Sequence, residues 1–80
     1  MAKKKLEPAK ESAYKQFSIN LGLQIHYARV ARNLTVEDFA ELIDVEPRTV
    51  YRYESGRSLS LEALFFISRI LNVDFSREFR

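Results

Sequence analysis

The chain has 80 residues, of which 46% are hydrophobic and 30% charged, and a formal net charge of +2. That describes one small domain with enough apolar content to pack a core, and the lack of cysteine excludes a disulfide framework and a thiolate metal site. The one histidine, His26, excludes a histidine-based metal cluster, and no apolar stretch approaches the roughly 20 residues a membrane-spanning helix needs.

The basic start, Met1 to Lys5, is not followed by a hydrophobic signal core, so a soluble, cytoplasmic protein is expected. All five lysines (Lys3, Lys4, Lys5, Lys10 and Lys15) fall within residues 1–15, against Glu7 and Glu11, a net +3. Every later basic group is arginine, and residues 16–80 sum to −1. Residues 1–15 read as a flexible basic tail and residues 16–80 as the folded domain. The tail either solubilises the chain or acts as an arm that adds phosphate contacts to a nucleic acid.

From about Phe17 the apolar residues fall at helical spacing, with Phe17, Leu21, Ile25 and Ala28 on one face. Gly22 weakens this first helix slightly, and Asn33 suits a left-handed cap at its end. His26 falls on its polar side, a surface or half-buried position that supports neither a metal ligand nor a pH switch. Thr35 then caps a second helix, with Asp38 in capping-box position and Phe39, Ala40, Leu42 and Ile43 as the apolar face. Asp44 takes the next left-handed position, and Pro47 suits the first turn of a third helix reaching Tyr53 or Glu54. Two short helices across so tight a turn make a helix-turn-helix.

Residues 55–58 form a loop. Ser60 caps a fourth helix, with Glu62 in its first turn and Leu61, Leu64, Phe65, Ile67 and Leu71 as a broad apolar face. Asn72 is its left-handed cap, and a last helix over residues 75–79 starts from Asp74. The expected fold is all-α: a compact five-helix bundle with an N-terminal tail.

Three stretches, LGLQIHYAR, LTVEDFAELIDVEPRTVYRYESGR and LSLEALFFISRILNV, resemble the phage-repressor (Cro/cI-type, XRE) helix-turn-helix family over residues 21–79. Ala40 stands where the family keeps a small residue at the helix crossing, and Val45 and Val50 where apolar residues seal it. Asn33, Asp44 and Asn72 replace the usual glycines, but all three tolerate positive φ. The resemblance implies an ion pair between Arg29 and Glu54 that orients the recognition helix, and places Tyr53 in the core beneath it.

It further implies that the third helix lies in the major groove of double-stranded DNA, with Pro47, Arg48, Tyr51 and Arg52 at base-facing positions. Arginine there reads guanine O6 and N7 together. Thr49 adds a hydroxyl contact, while Ser55, Arg57 and Ser58 lie in the loop that touches phosphates. Val36 replaces a glutamine that contacts phosphate in the family, and Glu37, Asp38 and Glu41 make the second helix acidic. Those departures favour the alternative of a protein-interaction module or antitoxin-like partner with weak or no DNA binding.

Phe66 stands where the family is polar, with Ile70 four residues on. Together with Phe79 they form an expected homodimer surface, unless Phe66 and Ile70 pack under the N-terminal extension. No nucleophile–base pair, paired-carboxylate site or glycine-rich phosphate loop can be assembled. The expectation is therefore a sequence-specific, repressor-like regulator, not an enzyme, with no cofactor, metal, membrane or small-molecule substrate.

Overall fold

The computed structural model describes residues 8–79. Four α-helices follow in order: α1 (Pro8–Ala31), α2 (Val36–Leu42), α3 (Pro47–Glu54) and α4 (Leu61–Leu71). A one-turn 3-10 helix, Ser76–Phe79, ends the described residues, so the expected fifth α-helix is corrected to this tighter turn. Asp74 Oδ1 accepts the Ser76 N–H at 2.9 Å, which starts a tight turn of the kind that 3-10 geometry closes.

The first helix begins at Pro8, not near Phe17. Residues 9–16 are all exposed, so this stretch buries no face and shows no apolar periodicity. Its helix formers (Ala9, Lys10, Glu11, Ala13 and Gln16) suffice once α1 is nucleated, and Pro8 is tolerated in a first turn. Residues 8–15, expected in the tail, are thus the first two turns of α1. The remainder of that expected tail, residues 1–7, lies outside the described residues.

Every α-helix ends the same way. Asn33 (φ 57°), Asp44 (φ 57°), Gly56 (φ 78°) and Asn72 (φ 52°) adopt the left-handed conformation. The next N–H in each case bonds back five residues: Leu34 to the Arg29 carbonyl at 3.2 Å, Val45 to Ala40 at 2.9 Å, Arg57 to Arg52 at 2.8 Å and Val73 to Ser68 at 3.0 Å. This Schellman closure satisfies carbonyls that a helix end otherwise leaves open. Helix starts are equally defined. Thr35 and Asp38 form the reciprocal capping box on α2, and Ser60 Oγ accepts the Ala63 N–H at 3.0 Å on α4.

Leu21 and Ile25 from α1, Phe39 and Ala40 from α2, Val50 and Tyr53 from α3, Ile67 and Leu71 from α4, and Phe75 form the core. Val45 packs against it and Val50 is fully buried, so the seal on the α2–α3 crossing is made as the sequence implies. Burying each large apolar side chain contributes about 1.5–3 kcal/mol before entropy is charged against it. The fourth helix's apolar face is narrower than expected. Ile67 and Leu71 are buried and Leu64 packs against them, but Leu61 and Phe65 stand exposed.

Candidate nucleic-acid interface

The third helix is two-sided. Val50 and Tyr53, three residues apart, point into the core, which forces positions 48, 51, 52 and 55 outward. Arg48, Tyr51, Arg52 and Ser55 are exposed accordingly, while Pro47 and Thr49 are half-buried at the helix start. Arg57 and Ser58 follow on the exposed loop, Ser58 with φ 59°. Side chains of Arg48, Arg52 and Arg57 have no ion-pair or hydrogen-bond partner among the described residues. Three guanidiniums therefore stand free on and just beyond the outward face of one short helix.

Two expected contacts sit differently from the rest. Ser55 Oγ donates to the Tyr51 carbonyl at 2.8 Å, which commits its hydroxyl hydrogen to the end of α3. Val36 turns toward the core and packs against it, so the place of a phosphate-binding side chain at the start of α2 is filled by an apolar contact. The backbone N–H of Asp38 is likewise occupied, by Thr35 Oγ1 at 3.0 Å. Exposed Glu37, Asp38 and Glu41 keep this helix acidic.

Arg29 and Glu54 meet as implied. Arg29 is buried, and its Nε donates to Glu54 Oε2 at 2.5 Å. One terminal nitrogen donates to Glu54 Oε1 at 3.2 Å, and the other to the Leu34 carbonyl at 2.7 Å. The hydrogen bond to Glu54 raises the Arg29 pKa above its ordinary value, against the opposing effect of burial. Burial pushes the Glu54 carboxyl up, but hydrogen bonds from Arg29 and His26, with the Arg29 charge, outweigh it and hold that carboxyl below its usual range. The pair ties α1, the loop after it and the end of α3 into one unit.

Two residues that position this face were not legible as such. His26, half-buried as expected, places Nδ1 2.7 Å from Glu54 Oε1. Gly22, taken from the sequence as a weak point of α1, faces the end of α3. A Cβ there would lie 2.5 Å from the Glu54 carbonyl oxygen and 2.6 Å from the Gly56 nitrogen, both backbone atoms. Gly56 repays the approach, since a Cβ on it would collide with the Ser18 carbonyl. The available signal was spacing: Gly22, His26 and Arg29 recur at intervals of four and three, the repeat of one helix face.

A helix-turn-helix family model matches residues 25–77, most of the chain and every α-helix in part or whole. The chain belongs to the XRE-type, Cro/cI-like helix-turn-helix family. No curated protein matches it. XRE-type helix-turn-helix proteins are DNA-binding regulators and are not typically enzymes, so this chain's broad function is DNA binding. Among the described residues of this XRE-type domain, no helix is long and apolar enough to cross a membrane.

Proposed function

We propose that the chain is a sequence-specific, repressor-like transcriptional regulator of the cytoplasm that lays α3 in the DNA major groove. One observation carries this: Arg48 and Arg52 stand exposed, unpaired and one turn apart on the face of α3 opposite its buried Val50 and Tyr53. An unpaired guanidinium keeps its donor fork available, and that fork matches guanine O6 and N7. Tyr51, 57% exposed between them, meets a thymine methyl or a phosphate. Pro47 and Thr49 border this face at the start of α3, Ser55 closes its far end, and Arg57 beyond it neutralises backbone phosphate.

Selection of bound duplexes from a random pool, followed by titration at several salt concentrations, tests this. Arg48→Ala should flatten preference at one guanine-containing position, at a cost of about 1–3 kcal/mol. Arg57→Ala should weaken all sequences alike and lower the salt slope by about 0.9 for one lost phosphate. Equal effects from the two variants would contradict the division of roles. A wild-type chain that ignores every duplex in dilute buffer would leave the interaction-module reading.

A homodimer is part of the same reading, with its surface narrowed. Phe66 and Ile70 are exposed and, with Leu42, Ile43 and Val45, line a groove of about 440 Å³ beside α4. Residues 9–16 of α1 are all exposed, so no described part of the N-terminal extension covers Phe66 or Ile70. Phe79 lines a different groove and packs edge-on against Phe17 at 5.0 Å, so the surface is assigned to Phe66 and Ile70 without it. Two-fold pairing there would present two copies of α3 to successive major grooves, roughly 34 Å apart.

A further inference from the structure

The Arg29–Glu54 pair follows from the family; the third group on it does not. His26 lies one turn before Arg29 on α1, so both side chains project toward the end of α3. Its Nδ1 is 2.7 Å from Glu54 Oε1, the same oxygen that takes an Arg29 terminal nitrogen at 3.2 Å. An ionised carboxylate only accepts, and Glu54 is held in that form, so the hydrogen of this contact sits on His26 Nδ1. The 3.4 Å separation between Nδ1 and the Arg29 terminal nitrogen is then donor beside donor, both converging on one oxygen. The His26 side chain is 42% exposed, so the ring reaches Glu54 from the edge of the domain.

We propose that His26 is a positioning residue for DNA recognition, acting through Glu54. This rests on the reading of α3 as the groove-binding helix. Arg29 alone holds Glu54 through a long, many-rotamer side chain whose other arm is committed to the Leu34 carbonyl. His26 ties the same carboxylate to the body of α1 through a short, stiff ring. Tyr51 and Arg52 lie within one turn of Glu54, so the rotation of that turn decides where both side chains meet a duplex. Gly22, on the same face of α1, lets the backbones approach closely enough for the imidazole to reach.

Two measurements on the full chain test the proposal. In the free protein, long-range nitrogen–proton NMR of the His26 ring should show the hydrogen on Nδ1; a ring protonated on Nε2 alone overturns it. Binding is then compared between a duplex selected by the wild type and a scrambled duplex. His26→Leu should lose on the order of tenfold in that affinity ratio while melting as one cooperative unit. His26→Asn, whose amide nitrogen occupies about the place of Nδ1, should restore most of the ratio. A leucine variant with the wild-type ratio, or an asparagine variant no better than leucine, refutes the positioning role while leaving DNA binding intact. A wild type with no sequence preference removes the reading beneath it, and that is visible before any variant is made.

Discussion

Glu54 receives every side-chain hydrogen bond that joins α1 to α3 among the described residues. Its carboxyl lies below the ordinary 4.5, which fixes the sign of its effect on stability. Above pH 4.5 it is ionised in both folded and unfolded chains and its contribution is complete. Below that value the unfolded chain takes up a proton that the folded one refuses, so stability falls until the pH passes the lower folded value. Urea titrations from pH 6 downward should therefore show a steeper loss below about pH 4.5 in the wild type than in Glu54→Gln. Matching slopes would remove Glu54 from the account. Arg29→Ala leaves the partly buried Glu54 with His26 alone, and Glu54→Ala leaves buried Arg29 without its carboxylate; each should cost about 2–4 kcal/mol, more than a surface pair would. The existence of this pair was implied by the family resemblance, but the sharing of its carboxylate with His26 was not. Nothing local to residue 26 reveals that α3 ends opposite it, because that is set by the angle at which two helices cross.

The same limit recurs among the elements. Helix ends were readable because they are local chemistry: Thr35, Asp38 and Ser60 start helices, and Asn33, Asp44 and Asn72 leave them left-handed as their side chains allow. The beginning of α1 was not readable, since a helix that buries nothing over residues 9–16 leaves no periodic trace. Gly22 was misread because propensity scores a helix in isolation. In isolation Gly22→Ala gains about 1 kcal/mol. In this fold it drives a methyl group against the backbone of Glu54 and Gly56, where overpacking costs roughly 1–3 kcal/mol and no flexible side chain can yield. Thermal unfolding of Gly22→Ala should show a lower midpoint than the wild type, and a raised midpoint would mean that α1 and α3 are less tightly apposed than described. The breadth of α4 was overread for a related reason: Leu61 and Phe65 share the helical repeat of half-buried Leu64 but stand exposed beyond the face that packs on the core.

For the whole molecule, the sign and place of charge and apolar surface matter together. The free arginines of α3 and the loop after it lie apart from the groove at Phe66 and Ile70, whose rim carries Asp44 and Glu62. On the proposed reading a duplex would be drawn to the first surface and repelled by the second, so pairing through the groove and binding through α3 need not compete. Sedimentation equilibrium of the full chain should give a dimer that Phe66→Glu converts to a folded monomer. Phe79→Glu should instead lower stability, through its contact with Phe17, and leave association unchanged. A wild type that stays monomeric at millimolar concentration ends the dimer reading.

All four helices terminate in the same back-bonded left-handed turn, and the link from α2 to α3 is one of them. A hand whose wrist is already set has little left to freeze when it grips. Complex formation by this domain should thus draw its heat-capacity change from the area covered, with no added share from folding of the protein, and lose little of its gross attraction to ordering.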